Sequence, residues 1–365
     1  MSFKSTFIGI GALLFILLIL LPFVFRATSS QQPKSASPTA VATVGIFKST
    51  DGGLNWMAKT HVDQTGVGFP VSILSMVLKP TDPNVIYIGT KQDGLWVSQN
   101  AGESWVHITD PQGVLKSDAE VDDIAISRSN PTTLYLAVFQ DNLGRVLRSD
   151  NGGVSFTEVY RVSGNRFGVF GVAVDSVLPN RVYIATGQGG FFESSDAGKS
   201  WRIQKWFPDG LTKMRQNPEN PAEYYVVSSH GEMFRTEDRG ISWVRLTEGY
   251  RQFPKSSSIS DFIMDSSRPN ILYTASAFGL LRSEDSGGVW KQVDLIIPPE
   301  GALVRAVAVG RESSNTILAG VGSAIYKSDD FGEHWQVIQL PVAGNITMLR
   351  ISAEEPSTVY AVVGK

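Results

Sequence analysis

Two kinds of hydrophobic pattern divide the chain. Phe7 to Phe25 is an almost unbroken apolar run, with no charge between Lys4 and Arg26. From Val44 onward, apolar residues come instead in short alternating stretches separated by Gly, Pro, Asn and Asp, the pattern of strands joined by tight turns. One octapeptide turn recurs seven times: STDGGLNW (49–56), SQNAGESW (98–105), SDNGGVSF (149–156), SSDAGKSW (194–201), TEDRGISW (236–243), SEDSGGVW (283–290) and SDDFGEHW (328–335). Successive starts lie 42 to 51 residues apart. That is the length of a four-stranded propeller blade.

A strand precedes each octapeptide, with an apolar residue two before the first Ser or Thr (Phe47, Trp96, Leu147, Phe192, Phe234, Leu281, Tyr326) and a mostly polar one next. The pattern predicts one buried and one wet face. Upstream lie a Pro/Asn turn and a second strand, as in DPNVIYIG (82–89), NPTTLYLA (130–137), LPNRVYIA (178–185), RPNILYTA (268–275) and EPSTVYAV (355–362), each preceded by a further apolar strand. The repeat reads strand A, Pro/Asn turn, strand B, loop, strand C, octapeptide turn, strand D. Gly45 to Lys59 supplies only C and D, and Ile346 to Val363 only A and B. Joined, they complete a seventh blade, so the predicted fold is all-β: a single seven-bladed propeller of four-stranded blades, closed by its own termini and leaving no long free sheet edge.

The first run is long enough to span a bilayer, and its Phe25-Arg26-Ala27 exit is not a small-x-small cleavage site. It predicts a transmembrane signal-anchor within 1–26, N-terminus cytoplasmic, with cleavage and secretion as the alternative. Residues 27–43 are rich in Ser, Pro, Thr and Gln and read as a flexible linker to a propeller over 44–365 outside the cytoplasm, in a bacterial periplasm or at the cell surface. One glycosylation-type triplet, Asn345-Ile346-Thr347, lies in that part.

Composition narrows the chemistry. There is no Cys, which excludes disulfides, thiolate metal sites and cysteine nucleophiles, and the four His (61, 107, 230, 334) have no metal-ligand spacing. The net charge of −3, with Lys4, Arg26 and Lys34 all in the first 44 residues, lacks the basic excess that nucleic-acid binding needs. No cofactor and no metal is expected.

The octapeptide resembles the Asp box of the BNR-repeat propellers, a group that includes sialidases, sortilin-type receptors, xyloglucan-degrading hydrolases and the photosystem II assembly factor. The resemblance implies a propeller and leaves the activity open. Within the boxes, Asp51, Asn100, Asn151, Asp196, Asp238, Asp285 and Asp330 read as structural acceptors, because Asn cannot serve as a general acid or base and seven turns spread around a ring cannot meet on one substrate. The box aromatics Trp56, Trp105, Phe156, Trp201, Trp243, Trp290 and Trp335 read as core.

Function is expected on the face where the D-to-A and B-to-C loops gather. Aromatic and basic residues there, Arg166 and Phe167, Lys205, Trp206 and Phe207, and Tyr250, Arg251, Phe253 and Lys255, have the composition of a hot spot for a protein or glycan partner. Acids at the start of the second blade, Asp118, Glu120, Asp122 and Asp123, with Asp261 at the matching place in the fifth, offer paired carboxylates for glycoside hydrolysis. The main expectation is a membrane-anchored binding propeller without catalysis; the alternative is a glycoside hydrolase, sialidase-like or β-glucan-degrading, using Asp122, Asp123 or Asp261. Sialidase resemblance implies three arginines on a substrate carboxylate, for which Arg215, Arg305 and Arg350 qualify by position, but the Phe/Tyr-Arg-Ile-Pro segment is missing. Gly66 to Trp96 resembles the opening blade of xyloglucan-degrading hydrolases.

Overall fold

A computed structural model describes residues 44–310 and 315–365. The apolar run and the linker lie outside the described residues; among those described, no helix is long and apolar enough to cross a membrane. The described chain forms seven four-stranded antiparallel sheets. The innermost strands A are Ile73–Lys79, Glu120–Ile126, Val169–Val174, Leu211–Gln216, Ile259–Asp265, Val304–Val309 and Asn345–Ile351.

The last sheet is closed as expected. Strands Asn345–Ile351 and Val359–Gly364 supply A and B, and Gly45–Ser49 and Met57–Ala58 supply C and D. The seam runs from Gly45 opposite Val363 to Ser49 opposite Val359.

Burial corrects the expected wet face. The C strands, such as Gly45–Ser49, Gly190–Ser194 and Ala324–Ser328, are buried or half-buried at every position, while D strands such as Arg202–Trp206 are largely exposed. Each sheet is sandwiched between two neighbours, so only its outer strand meets water on one face. The core therefore falls into seven clusters, one at each junction between blades.

All seven box turns use one hydrogen-bond scheme. In the first, the Ser49 hydroxyl donates to Asp51 Oδ1 at 2.7 Å and accepts from the Gly53 amide at 2.9 Å, while Asp51 Oδ1 accepts from the Asn55 amide at 2.9 Å. With Asn at the third position the same bonds form: Ser98 to Asn100 Oδ1 at 2.9 Å and Ser104 N to Asn100 Oδ1 at 2.9 Å. The fourth and fifth residues are both left-handed, the fifth always Gly, as with Ala197 at φ 61° and Gly198 at 92°. Trp105, Phe156 and Trp290 are fully buried, and Trp56, Trp201, Trp243 and Trp335 are half-buried against a junction core.

The turns also bind neighbouring blades. Tyr87, Tyr135, Tyr225 and Tyr360 of the B strands each donate to the carbonyl of the fourth box residue in the next blade: Gly152 (3.1 Å), Ala197 (3.2 Å), Ser286 (3.4 Å) and Ala101 (3.2 Å). The Tyr360 bond spans the closure.

Two outcomes follow. Trp105→Ala empties a fully buried site and is expected to cost about 3–5 kcal/mol, whereas Asp196→Asn preserves the acceptor used by Asn100 and Asn151 and leaves the melt nearly unchanged; equal large losses would show that the carboxylate charge matters. Deleting residues 345–365 removes two of the four strands of the closing sheet and is expected to abolish the cooperative thermal transition, a result that an unaltered melt would refute.

Candidate functional site

The seven A strands share a feature with no sequence signature. Each skips one residue in its pairing with strand B, at Leu74, Asp122, Phe170, Thr212, Ser260, Arg305 and Thr347. A bulge frees the extra residue from the ladder and re-aims its side chain. All but Arg305 line one central cavity of about 430 Å³.

Six ionisable groups stand in that cavity: Asp122, Asp123, Asp261, Lys213, Arg215 and Arg350. Asp123 and Asp261 occupy the residue after the bulge in their strands, and each ties its blade to the next. Asp123 accepts from the amides of Ile124 (3.0 Å) and Val172 (3.0 Å), and Asp261 from those of Phe262 (3.0 Å) and Val307 (3.5 Å). Arg215 pairs with Asp261 at 3.1 Å and donates to the Phe262 carbonyl at 3.1 Å. Asp122 differs: its Oδ2 is buried and has no hydrogen-bond partner.

These environments separate the carboxyls. Burial, reinforced by Glu120 and Asp123, pushes Asp122 up to about 8, so it holds its proton at neutral pH. Burial also raises Asp123, to about 6, against the pull of the Val172 amide. Burial and the like charge of Arg215 push Arg350 down to about 10, and burial lowers Lys213. Arg350 donates to the neighbouring Leu349 carbonyl at 2.8 Å and forms no ion pair with a carboxylate among the described residues. Among the described residues, no group of three or more His, Asp or Glu is arranged to hold a metal ion.

The sequence candidates divide accordingly. Asp122, Asp123, Asp261, Arg215 and Arg350 meet in the channel; Arg305 does not line it. The aromatic D-to-A residues do not form one surface. Tyr250 is 1% exposed, donates to the Gly231 carbonyl at 2.5 Å and packs edge-on to Trp290, so it plugs the junction of the fourth and fifth blades and is unavailable to a partner. Phe207 is buried between Phe234 and Trp243, and half-buried Phe253 packs on Phe278. Arg166, Phe167 and Arg251 are exposed. Lys205 and Trp206 sit on strand D, not in the loop; Trp206, 52% exposed, borders a groove of about 510 Å³ with Pro208, Glu232 and Arg245. Lys213 was no sequence candidate, although it lies on the same A strand as Arg215, two residues before it.

No model of a known protein family matches the chain. A xyloglucanase of Paenibacillus is 27% identical over 245 residues, 62% of this chain and 21% of that protein, and one of Acetivibrio thermocellus is 23% identical over 335 residues, 78% and 36%. Zebrafish sortilin is 26% identical over 242 residues, 63% and 29%. The chain thus spans between a fifth and about a third of the length of these relatives. Among solved structures, the GH74 xyloglucanase of Xanthomonas campestris superposes with a TM-score of 0.66 at 18% identity, covering 81% of this chain and 51% of that one. YCF48 bound to D1 peptide superposes with a TM-score of 0.62 at 17% identity, covering 81% and 93%. The chain is a seven-bladed propeller with an Asp-box-like turn in every blade, similar in sequence to parts of xyloglucanases and sortilin and in fold to a xyloglucanase and YCF48.

Asp122 gives stability a pH signature. The unfolded chain loses this proton near pH 4 and the folded chain keeps it to about 8, so between these values the unfolded state binds fewer protons and stability falls as pH rises. Asp122→Asn removes that term. Its melting temperature is expected to gain on that of the parent from about pH 4 to about pH 8 and to run parallel above; parallel curves throughout would mean that Asp122 ionises normally.

Proposed function

We propose that this propeller acts on a glycan in its central channel, as a glycoside hydrolase. The observation that carries the reading is the pairing of a protonated, unpartnered carboxyl, Asp122, with Asp261, a carboxylate held by Arg215, in one cavity. Glycoside hydrolysis needs these two roles: one group gives a proton to the leaving oxygen while another takes one from the attacking water or attacks the sugar directly. The second and fifth blades are three apart in a ring of seven, which sets the two carboxyls on facing walls with a sugar between them. Asp123 binds two backbone amides, as Asp261 does, but makes no ion pair with an arginine among the described residues, and serves as a positioning group. The similarity to xyloglucanases supports a β-glucan as first substrate to try.

A second reading, capture of a protein or glycan partner without chemistry, is favoured by exposed Trp206 beside its groove, since an exposed indole can stack on a sugar ring or anchor a peptide. In either reading the N-terminal run anchors the protein and the propeller works outside the cytoplasm.

The full chain in detergent, incubated with xyloglucan and mixed-linkage β-glucan, is expected to release reducing ends, and Asp122→Asn and Asp261→Asn each to lower the rate at least about a hundredfold with the β-sheet circular dichroism retained. Absence of turnover, together with polysaccharide retention that Trp206→Ala weakens about thirtyfold, would replace hydrolysis by capture.

A further inference from the structure

The channel holds more positive charge than its carboxylates neutralise. Of its three acids, Asp122 is protonated, Asp261 is paired with Arg215, and the oxygens of Asp123 are taken by two backbone amides. Three cations, Lys213, Arg215 and Arg350, thus face two carboxylates, Asp123 and Asp261, and one positive charge is left over. Neither Lys213 nor Arg350 makes an ion pair among the described residues, and the hydrogen bond of Arg350 to the Leu349 carbonyl leaves most of its donors free. Lys213 and Arg350 lose hydration and are repelled by Arg215, and Asp123 and Asp261 offset this only in part. An anion bound between Lys213 and Arg350 would relieve both costs.

The remaining lining says what kind of anion. Three of the re-aimed bulge residues carry hydroxyls: Thr212, Ser260 and Thr347. Thr212 donates to the Val227 carbonyl (3.2 Å) and Thr347 to the Val362 carbonyl (3.4 Å), which leaves their oxygens as acceptors. The cavity thus offers two cations for a carboxylate and spaced hydroxyls for a polyhydroxylated ring.

We propose that the channel binds the carboxylate of an acidic sugar, a uronic-acid unit of a glycan, through Arg350 and Lys213, with Thr212, Ser260 and Thr347 accepting from or donating to its ring hydroxyls. This rests on the glycan reading of the channel and deepens it: among the chains the channel accepts, one that carries a uronic-acid unit is held more tightly than a neutral β-glucan.

The test is direct binding, so it is separate from turnover. The full chain in detergent is titrated calorimetrically with tri-galacturonate, with a glucuronate oligomer, with the methyl ester of the former and with a free-acid peptide. At least one uronate oligomer is expected to bind saturably and its ester at least about tenfold more weakly, since a hydrogen bond to a charged group is worth about 1.5–3 kcal/mol. Arg350→Gln is expected to lose about tenfold or more, and Lys213→Met, whose melt guards against misfolding, to lose in the same direction. Equal binding of acid and ester, no binding of either uronate oligomer, or tighter binding of the peptide each overturns the proposal. Hydrolysis of neutral glucan with no uronate binding would defeat this inference alone, and uronate binding with no turnover of any glycan would defeat the hydrolase reading alone.

Discussion

No blade in this molecule has a core of its own. Each four-stranded sheet is too thin to bury its side chains alone, and its two faces are covered by the sheets on either side. The seven apolar clusters accordingly lie at the seven junctions. Closure follows from this: an open row of blades would leave two faces bare, each lined with groups such as Ile46, Ile73, Met76, Met348 and Val362 that now fill the cluster between the last blade and the first. The split sheet holds the join by backbone hydrogen bonds, because strands from both ends of the fold pair within it.

Much of this was legible from the chain. The octapeptide marks the C-to-D turn because its hydroxyl, acceptor and Gly must occupy fixed places for the turn to satisfy its own amides, so the motif survives as a repeat. The complementary half-blades at the two ends were equally readable. What misled was locality. Tyr250 and Phe207 sit in segments that look like surface loops, yet both fill junctions whose other walls come from a neighbouring blade. The wet face expected of the C strands failed for the same reason, since strand alternation cannot report what a second sheet covers.

The channel was legible in part. Asp122, Asp123, Asp261, Arg215 and Arg350 stand out because they place charge on A strands, and Lys213 lies on the same strand as Arg215. Their roles were not readable. Whether a carboxyl accepts two amides, as Asp123 does, or none at Oδ2, as with Asp122, depends on the bulge, and a bulge is set by pairing between strands, not by composition.

The bulges give the ring a division of labour. Because the extra residue of each A strand is excused from the ladder and from the junction cores, its identity is nearly free of folding constraints, and the seven positions already hold Leu, Asp, Phe, Thr, Ser, Arg and Thr. The scaffold therefore presents a small combinatorial alphabet around one axis. A change of ligand requires new letters at those seats and leaves the strand pairing and junction cores that carry them untouched.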